Sequence, residues 1–258
     1  MEFCTFHASA LDPVLATAVH NGHDLRPDIA AVIALDEATR LREEDPYTGW
    51  VASRFETRAV VHRSRFEVDL NREPDRAVYR SPQDAWDLAV WDRPLTEVQV
   101  AESMRLYERF YAELASILDN LLSKFGGFIL YDIHSYNHRR AGPDARAGPV
   151  ADNPTVNLGT RSLPERWKPV ADTFVEVVRR STLDGDALDV RENVRFEGGH
   201  LARWVHERYG DSGFALPIEL KKVFMDEWTG KLDAGQLDQL GDALVSSVDP
   251  VRKAFELA

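Results

Sequence analysis

The chain has 258 residues, 44% of them hydrophobic, which is enough to enclose a substantial core and unlike a disordered segment. A formal net charge of −12 works against long-range capture of a nucleic acid backbone or an anionic membrane surface, and no run approaches the roughly eighteen apolar residues of a membrane span. The one cysteine, Cys4, has no partner for an internal disulfide, and the opening MEFCTFHASA lacks the basic and apolar parts of a secretory signal, so a reducing cytoplasm is the expected setting.

Short apolar runs rich in β-branched residues predict strands at Val14 to Val19, Arg58 to His62, Phe66 to Leu70, Phe128 to Ile133 and Phe214 to Leu220. Helices are expected at Pro46 to Phe55, Pro164 to Arg180, Leu201 to Tyr209 and Ala234 to Leu257. A longer one should open on the Thr96/Gln99 capping box and run to about Lys124, where Gly126 and Gly127 stop it. Ser135 to Arg161 holds Gly142, Pro143, Gly148, Pro149 and Pro154 without a period and reads as a long loop over a sheet edge. Strands alternating with helices imply the α/β class, a mixed or parallel sheet with helices on its faces, and no linker or repeat divides the chain, so 1–258 is expected to be one domain.

Two strand ends share a design. VLATAVHNGHD runs apolar up to His20, and GGFILYDIHSYNH runs through Asp132 to His134. Ligands of open α/β sheets gather beyond the carboxyl ends of the strands, so both imidazoles are expected in one crevice. Two histidines and a carboxylate with an open fourth position form a catalytic zinc arrangement, with Glu43, Glu44 or Asp45 of LREEDPYTGW as the acid and Asp132 as a partner that orients His134. Each residue has a plainer explanation alone: a histidine at a strand end is commonly structural, and Asp45 before Pro46 is a good helix N-cap. In RSRFEVDLNREPD, Asn71 and Arg72 either close a strand in a polar turn or meet a substrate carboxylate. Glu219, in FALPIELKKVFMDEW, is either an edge-strand charge paired with a lysine or a general base.

DIHSY, DLNR, ENVRFEGGHLARWVHERYG and IELKKVFMDE, in that order, resemble the signatures of the N-formylglutamate amidohydrolase family from about His20 to Glu227. The resemblance implies a three-layer α/β/α domain with a mostly parallel mixed sheet, hydrolase-like in the manner of zinc exopeptidases and kin to zinc carboxypeptidases and zinc amidases. It implies one Zn2+ per chain held by His20, by Asp45 first and Glu44 second, and by His134. VHNG stands at His20 where the family has a PHSG-like motif. Asn71 and Arg72 match the pair that holds a substrate carboxylate, Glu219 matches the general base, and Gly198 with Gly199 match a pair needing close backbone approach.

The expected reaction is therefore hydrolysis of an amide bond in a small carboxylate-bearing N-acyl, possibly N-formyl, amino acid by activated water. Arg54, Arg139 and Arg140 are candidates for a cation near the oxyanion, with Arg139 taken as substrate-binding. Two alternatives stand beside it: a zinc carboxypeptidase or peptidoglycan-type amidase, and a regulatory or binding module that keeps the fold without turnover. No oligomeric state follows from the sequence.

Overall fold

Alternation of side chains along two central strands organises the molecule. The computed structural model describes residues 2–9, 11–256 and 258. In chain order it contains β1 (Cys4–His7), β2 (Val14–Ala18), α1 (Pro27–Ala30), α2 (Glu37–Glu43), α3 (Thr48–Ala52), β3 (Thr57–Val61), α4 (Glu97–Phe125), β4 (Phe128–Tyr136) and β5 (Val156–Leu158). It continues with α5 (Lys168–Arg179), the small hairpin β6 (Thr182–Leu183) and β7 (Asp186–Ala187), β8 (Val190–Glu192), α6 (His200–Tyr209), β9 (Gly213–Lys221) and α7 (Ala234–Glu256). Among the described residues, seven strands form one sheet in the order β1-β3-β2-β4-β9-β5-β8, in which β1 against β3 and β5 against β9 are antiparallel and the other pairs parallel.

On β4, Ile129, Tyr131 and Ile133 pack with α3, α5 and α7 through residues such as Val51, Phe174 and Leu240. Phe128 and Leu130 turn to the other face and pack with Phe110 and Leu114 of α4 and Leu201 and Val205 of α6. Period-two alternation thus produces the expected three layers. It also sends Asp132 and His134 to the same face as Leu130. The β4–β9 register sets His134 directly beside Glu219, and alternation on β9 turns Glu219 away from Phe214, Leu216 and Ile218.

The α4 start follows the expected capping box, since Thr96 Oγ1 accepts from Gln99 N and Gln99 Oε1 accepts from Thr96 N. Gly126, at φ +76, takes the left-handed turn that ends the helix. Other expectations are corrected. Phe66 to Leu70 is not a strand: Glu67 N–H bonds to Ser64 O and Arg72 N–H to Asp69 O, so tight turns take the groups a ladder would need. Its apolar alternation reflects burial of Phe66, Val68 and Leu70 within an irregular segment. The helix expected from Pro46 is only Thr48–Ala52, entered through Tyr47 at φ +68. The expected loop from Ser135 gives its first two residues to β4 and hides β5, three residues too short to show a period. β1, α1, α2, the β6–β7 hairpin and β8 have no counterpart among the expected elements, and Leu257, the expected end of α7, lies outside the described residues.

One buried histidine ties α6 to the sheet. His206 Nε2 lies 3.0 Å from the Ala215 N–H that donates to it, and Nδ1 lies 2.9 Å from Ser162 Oγ. Burial pushes its pKa down from 6.5 to about 4. A depressed histidine contributes stability above its unfolded pKa and loses it as pH falls toward the folded value. Between pH 6.5 and 4, the stability advantage of wild type over His206→Gln is expected to shrink by about 3 kcal/mol. Denaturant titrations at both pH values check this, and a difference independent of pH refutes it.

Candidate functional site

Beyond the carboxyl ends of β2 and β4, three side chains meet. His20 follows β2 by two residues and His134 stands near the end of β4, their ring centroids 4.9 Å apart. Asp45 lies in the turn between α2 and α3, anchored by its N–H to His20 O at 2.9 Å. Its Oδ2 is 3.3 Å from His20 Nδ1 and 3.1 Å from His134 Nδ1, and candidate ligand atoms of the three residues all lie within 4.8 Å of one another. All three are buried.

The outer nitrogen of each imidazole faces a second carboxylate. His20 Nε2 is 2.7 Å from Asp69 Oδ1, and His134 Nε2 is 3.0 Å from Asp132 Oδ2. Asp132 is held in turn by Thr17 Oγ1 at 2.8 Å. Carboxylates there favour the tautomer with the proton on Nε2, which leaves two Nδ1 lone pairs aimed at an Asp45 oxygen. Three electron pairs converging on one point repel unless a cation or extra protons lie between them. A tetrahedral zinc site with bonds of ~2.1 Å has edges of ~3.4 Å, close to the two spacings from Asp45. The donor set and its supports therefore fit a divalent cation.

Hydrogen bonds and charge interactions outweigh burial at Asp45 and His134. Burial alone would raise the Asp45 pKa, but hydrogen bonds and charge from His134 and His20 reverse it and hold the carboxyl below the usual range. Burial opposes protonation of His134, yet the Asp132 carboxylate drives its pKa well above the ordinary value. Glu219 moves the other way: burial pushes its carboxyl up to about 8, with Asp45 and Asp132 adding to the rise and His134 opposing it.

These groups open on a cavity of about 190 Å³, lined also by Glu219, Arg72, Arg65 and Trp86. Asp69 joins its two sides. Oδ2 accepts from Arg65 Nη2 at 2.7 Å and from Tyr79 OH, and lies 3.4 Å from Arg72 Nε. The Arg72 guanidinium sits 4.8 Å over the Tyr79 ring and 5.8 Å from that of Trp86. The expected close approach at the glycine pair is present: a Cβ at Gly199 would lie 2.2 Å from Asn71 Oδ1, and Gly198 adopts φ +113.

Several sequence candidates stand elsewhere. Glu44 does not face the imidazoles, since its carboxylate is taken by Ser64 Oγ and by His23 Nδ1 at 2.6 Å, so Asp45 is the acid at the cluster. Arg139 turns to Asp226 at 2.8 Å and to Pro143 O, outside the cavity lining, and Arg54 pairs with Asp238 and Asp242. Arg140 does line the cavity. Asn71 lines it too, and its Oδ1 accepts from Leu201 N–H, which ties the segment before Arg72 to the start of α6. Sequence reasoning missed Arg65, Trp86 and the shared role of Asp69. Asp69 was visible within DLNR, but its partners are scattered from His20 to Tyr79 and no local spacing announces them.

The model of N-formylglutamate amidohydrolases matches residues 12–225. This chain belongs to the N-formylglutamate amidohydrolase family. The match takes in every residue of the cluster and Glu219. A solved N-formylglutamate amidohydrolase from Ralstonia eutropha JMP134 is similar in fold, with a TM-score of 0.79 at 16% identity, covering 100% of each chain. A gene product of Agrobacterium tumefaciens is similar with a TM-score of 0.69 at 16% identity, covering 98% of this chain and 96% of the other. No curated protein sequence matches the chain. No helix among the described residues is long and apolar enough to cross a membrane.

Proposed function

We propose that the protein hydrolyses the amide bond of a small N-acyl amino acid, N-formylglutamate first among them, with a zinc ion held by His20, Asp45 and His134. The observation that carries this reading is the convergence of two Nδ1 atoms and one carboxylate oxygen, each imidazole backed by its own carboxylate. A divalent cation there supplies Lewis acidity, making water nucleophilic near neutral pH and polarising the acyl carbonyl.

The chain's own residues supply the rest. Glu219, beside His134 on the neighbouring strand, takes a proton from the attacking water as its oxygen bonds to the acyl carbon. It returns that proton to the nitrogen as the C–N bond breaks, so acid and free amine leave together. Arg72 pairs with the substrate carboxylate and turns binding energy into orientation. Asp69 and Asp132 keep both imidazoles turned inward. A cavity of about 190 Å³ favours a small substrate over a cell-wall polymer.

Elemental analysis of the purified protein is expected to find one divalent ion per chain, and acidic N-formyl amino acids to release amine fastest in a panel with N-acetyl amino acids and dipeptides. Preference for dipeptides transfers the reading to a peptidase, and absence of both metal and turnover leaves a binding module. Arg72→Ala is expected to lower kcat/KM about 10- to 100-fold on acidic substrates, the loss of a charged hydrogen bond, and far less on neutral analogues. Equal losses on both reject the carboxylate role.

A further inference from the structure

Lys222 has an ammonium that the proposed chemistry does not use. The residue is 1% exposed, on the bend that follows β9, and among the described residues no carboxylate lies within ion-pair distance of its Nζ. It donates instead to two backbone carbonyls, those of Arg42 and Glu44, each at 2.6 Å. Taking an ammonium out of water without a counter-ion is costly, and an apolar side chain of similar size would avoid that cost.

Both acceptors belong to one end of one helix. Arg42 and Glu44 carry carbonyls left over at the C-terminus of α2, where the partial charge of the helix is negative and a cation is favourable. Asn137 Nδ2 adds a further bond to Arg42 O at 2.8 Å. The residue after Glu44 is Asp45. Lys222 is itself tied to the sheet, its N–H donating to Tyr136 O at 3.0 Å, and Glu219 lies three residues earlier in the same stretch of chain. The carboxylates of Asp45, Glu43 and Glu227 and the Arg65 guanidinium make up the charge around it.

We propose that Lys222 is a positioning residue, which clamps the end of α2 so that Asp45 is presented to the two imidazoles and thereby sets the metal affinity of the site. Lys222 also borders the cavity, but two of its three N–H donors are held by the Arg42 and Glu44 carbonyls, and its effect on the metal runs through the backbone that carries Asp45. The proposal rests on the metal reading above and adds a residue that acts through the backbone. β9 and the turn that follows it then control both the base, through Glu219, and the acidic ligand, through Lys222.

The test uses Lys222→Met in the full chain, with Val178→Ala as a control that weakens the distant α5 face. Zinc affinity is read by competition with a chelating dye, and amide hydrogen exchange at Glu44 and Asp45 is read in metal-free protein. Lys222→Met is expected to raise the zinc Kd about 10- to 100-fold, as for other supports of metal ligands, and to speed exchange at those amides about tenfold or more, with Leu216 in β9 unchanged. Val178→Ala should lower the melting temperature and leave Kd as in wild type. A folded Lys222→Met protein with wild-type Kd or wild-type exchange overturns the proposal, as does an equal rise in Kd in Val178→Ala. Should the methionine variant not fold, Lys222→Gln is read in the same way, since its shorter neutral amide cannot span both carbonyls. A wild-type protein that takes up no zinc fails at the metal reading itself, which separates that failure from an error about Lys222.

Discussion

Glu219→Gln is expected to lower kcat by ~10²- to 10⁴-fold, the usual worth of a positioned general base, while the protein keeps its metal. Glutamine has nearly the same shape and occupies the same position beside His134 on the β4–β9 register. The substitution removes the basic oxygen without opening a hole among the ligands. A second readout separates a base from a substrate-binding group. With no cation bound, burial pushes the Glu219 carboxyl up to about 8. A base must be ionised to act, so kcat/KM should rise with pH as Glu219 loses its proton. A dication nearby favours the ionised form and draws that transition below 8. The acid limb of the profile should be present in wild type and absent in Glu219→Gln. Retention of both rate and acid limb in the variant would assign the base elsewhere.

The second large effect concerns the metal ligands. His134→Ala is expected to weaken zinc binding by more than about 100-fold, since loss of a supporting residue alone costs 10- to 100-fold, and to lower activity in step with metal content. The change also leaves Asp132 buried beside a void, its Oδ2 no longer facing an imidazole. Asp45→Asn should lose metal too, whereas Glu44→Gln and His23→Ala should keep it, because those two side chains bond to each other away from the cluster. Metal content and Kd for the four variants check the assignment, and a Glu44→Gln protein emptied of zinc beside an Asp45→Asn protein that retains it would reverse it.

Legibility of the fold followed the range of the interactions. Val14–Ala18, Thr57–Val61, Phe128–Tyr136 and Gly213–Lys221 were found to within a few residues because each carries its own apolar run, and α4 because its capping box and terminal glycine lie in the sequence itself. β5 and β8, three residues each, exist as strands only by pairing with neighbours already in place. Phe66 to Leu70 misled for the opposite reason: its alternation is real and its burial is real, but turns took its backbone bonds.

The site divided in the same way. His20, His134 and Glu219 were legible because a chemically distinctive residue at the end of an apolar strand is local information, and period-two geometry then decides which face it joins. Asp45 over Glu44, Arg139 facing Asp226, and Asp69 shared between His20, Arg65 and Tyr79 were decided only in the tertiary structure. The physical reason is that adjacent acids in a turn differ solely in where the backbone points them. That direction comes from long-range hydrogen bonds, Asp45 N–H to His20 O and Lys222 Nζ to the end of α2, which no short window of sequence contains.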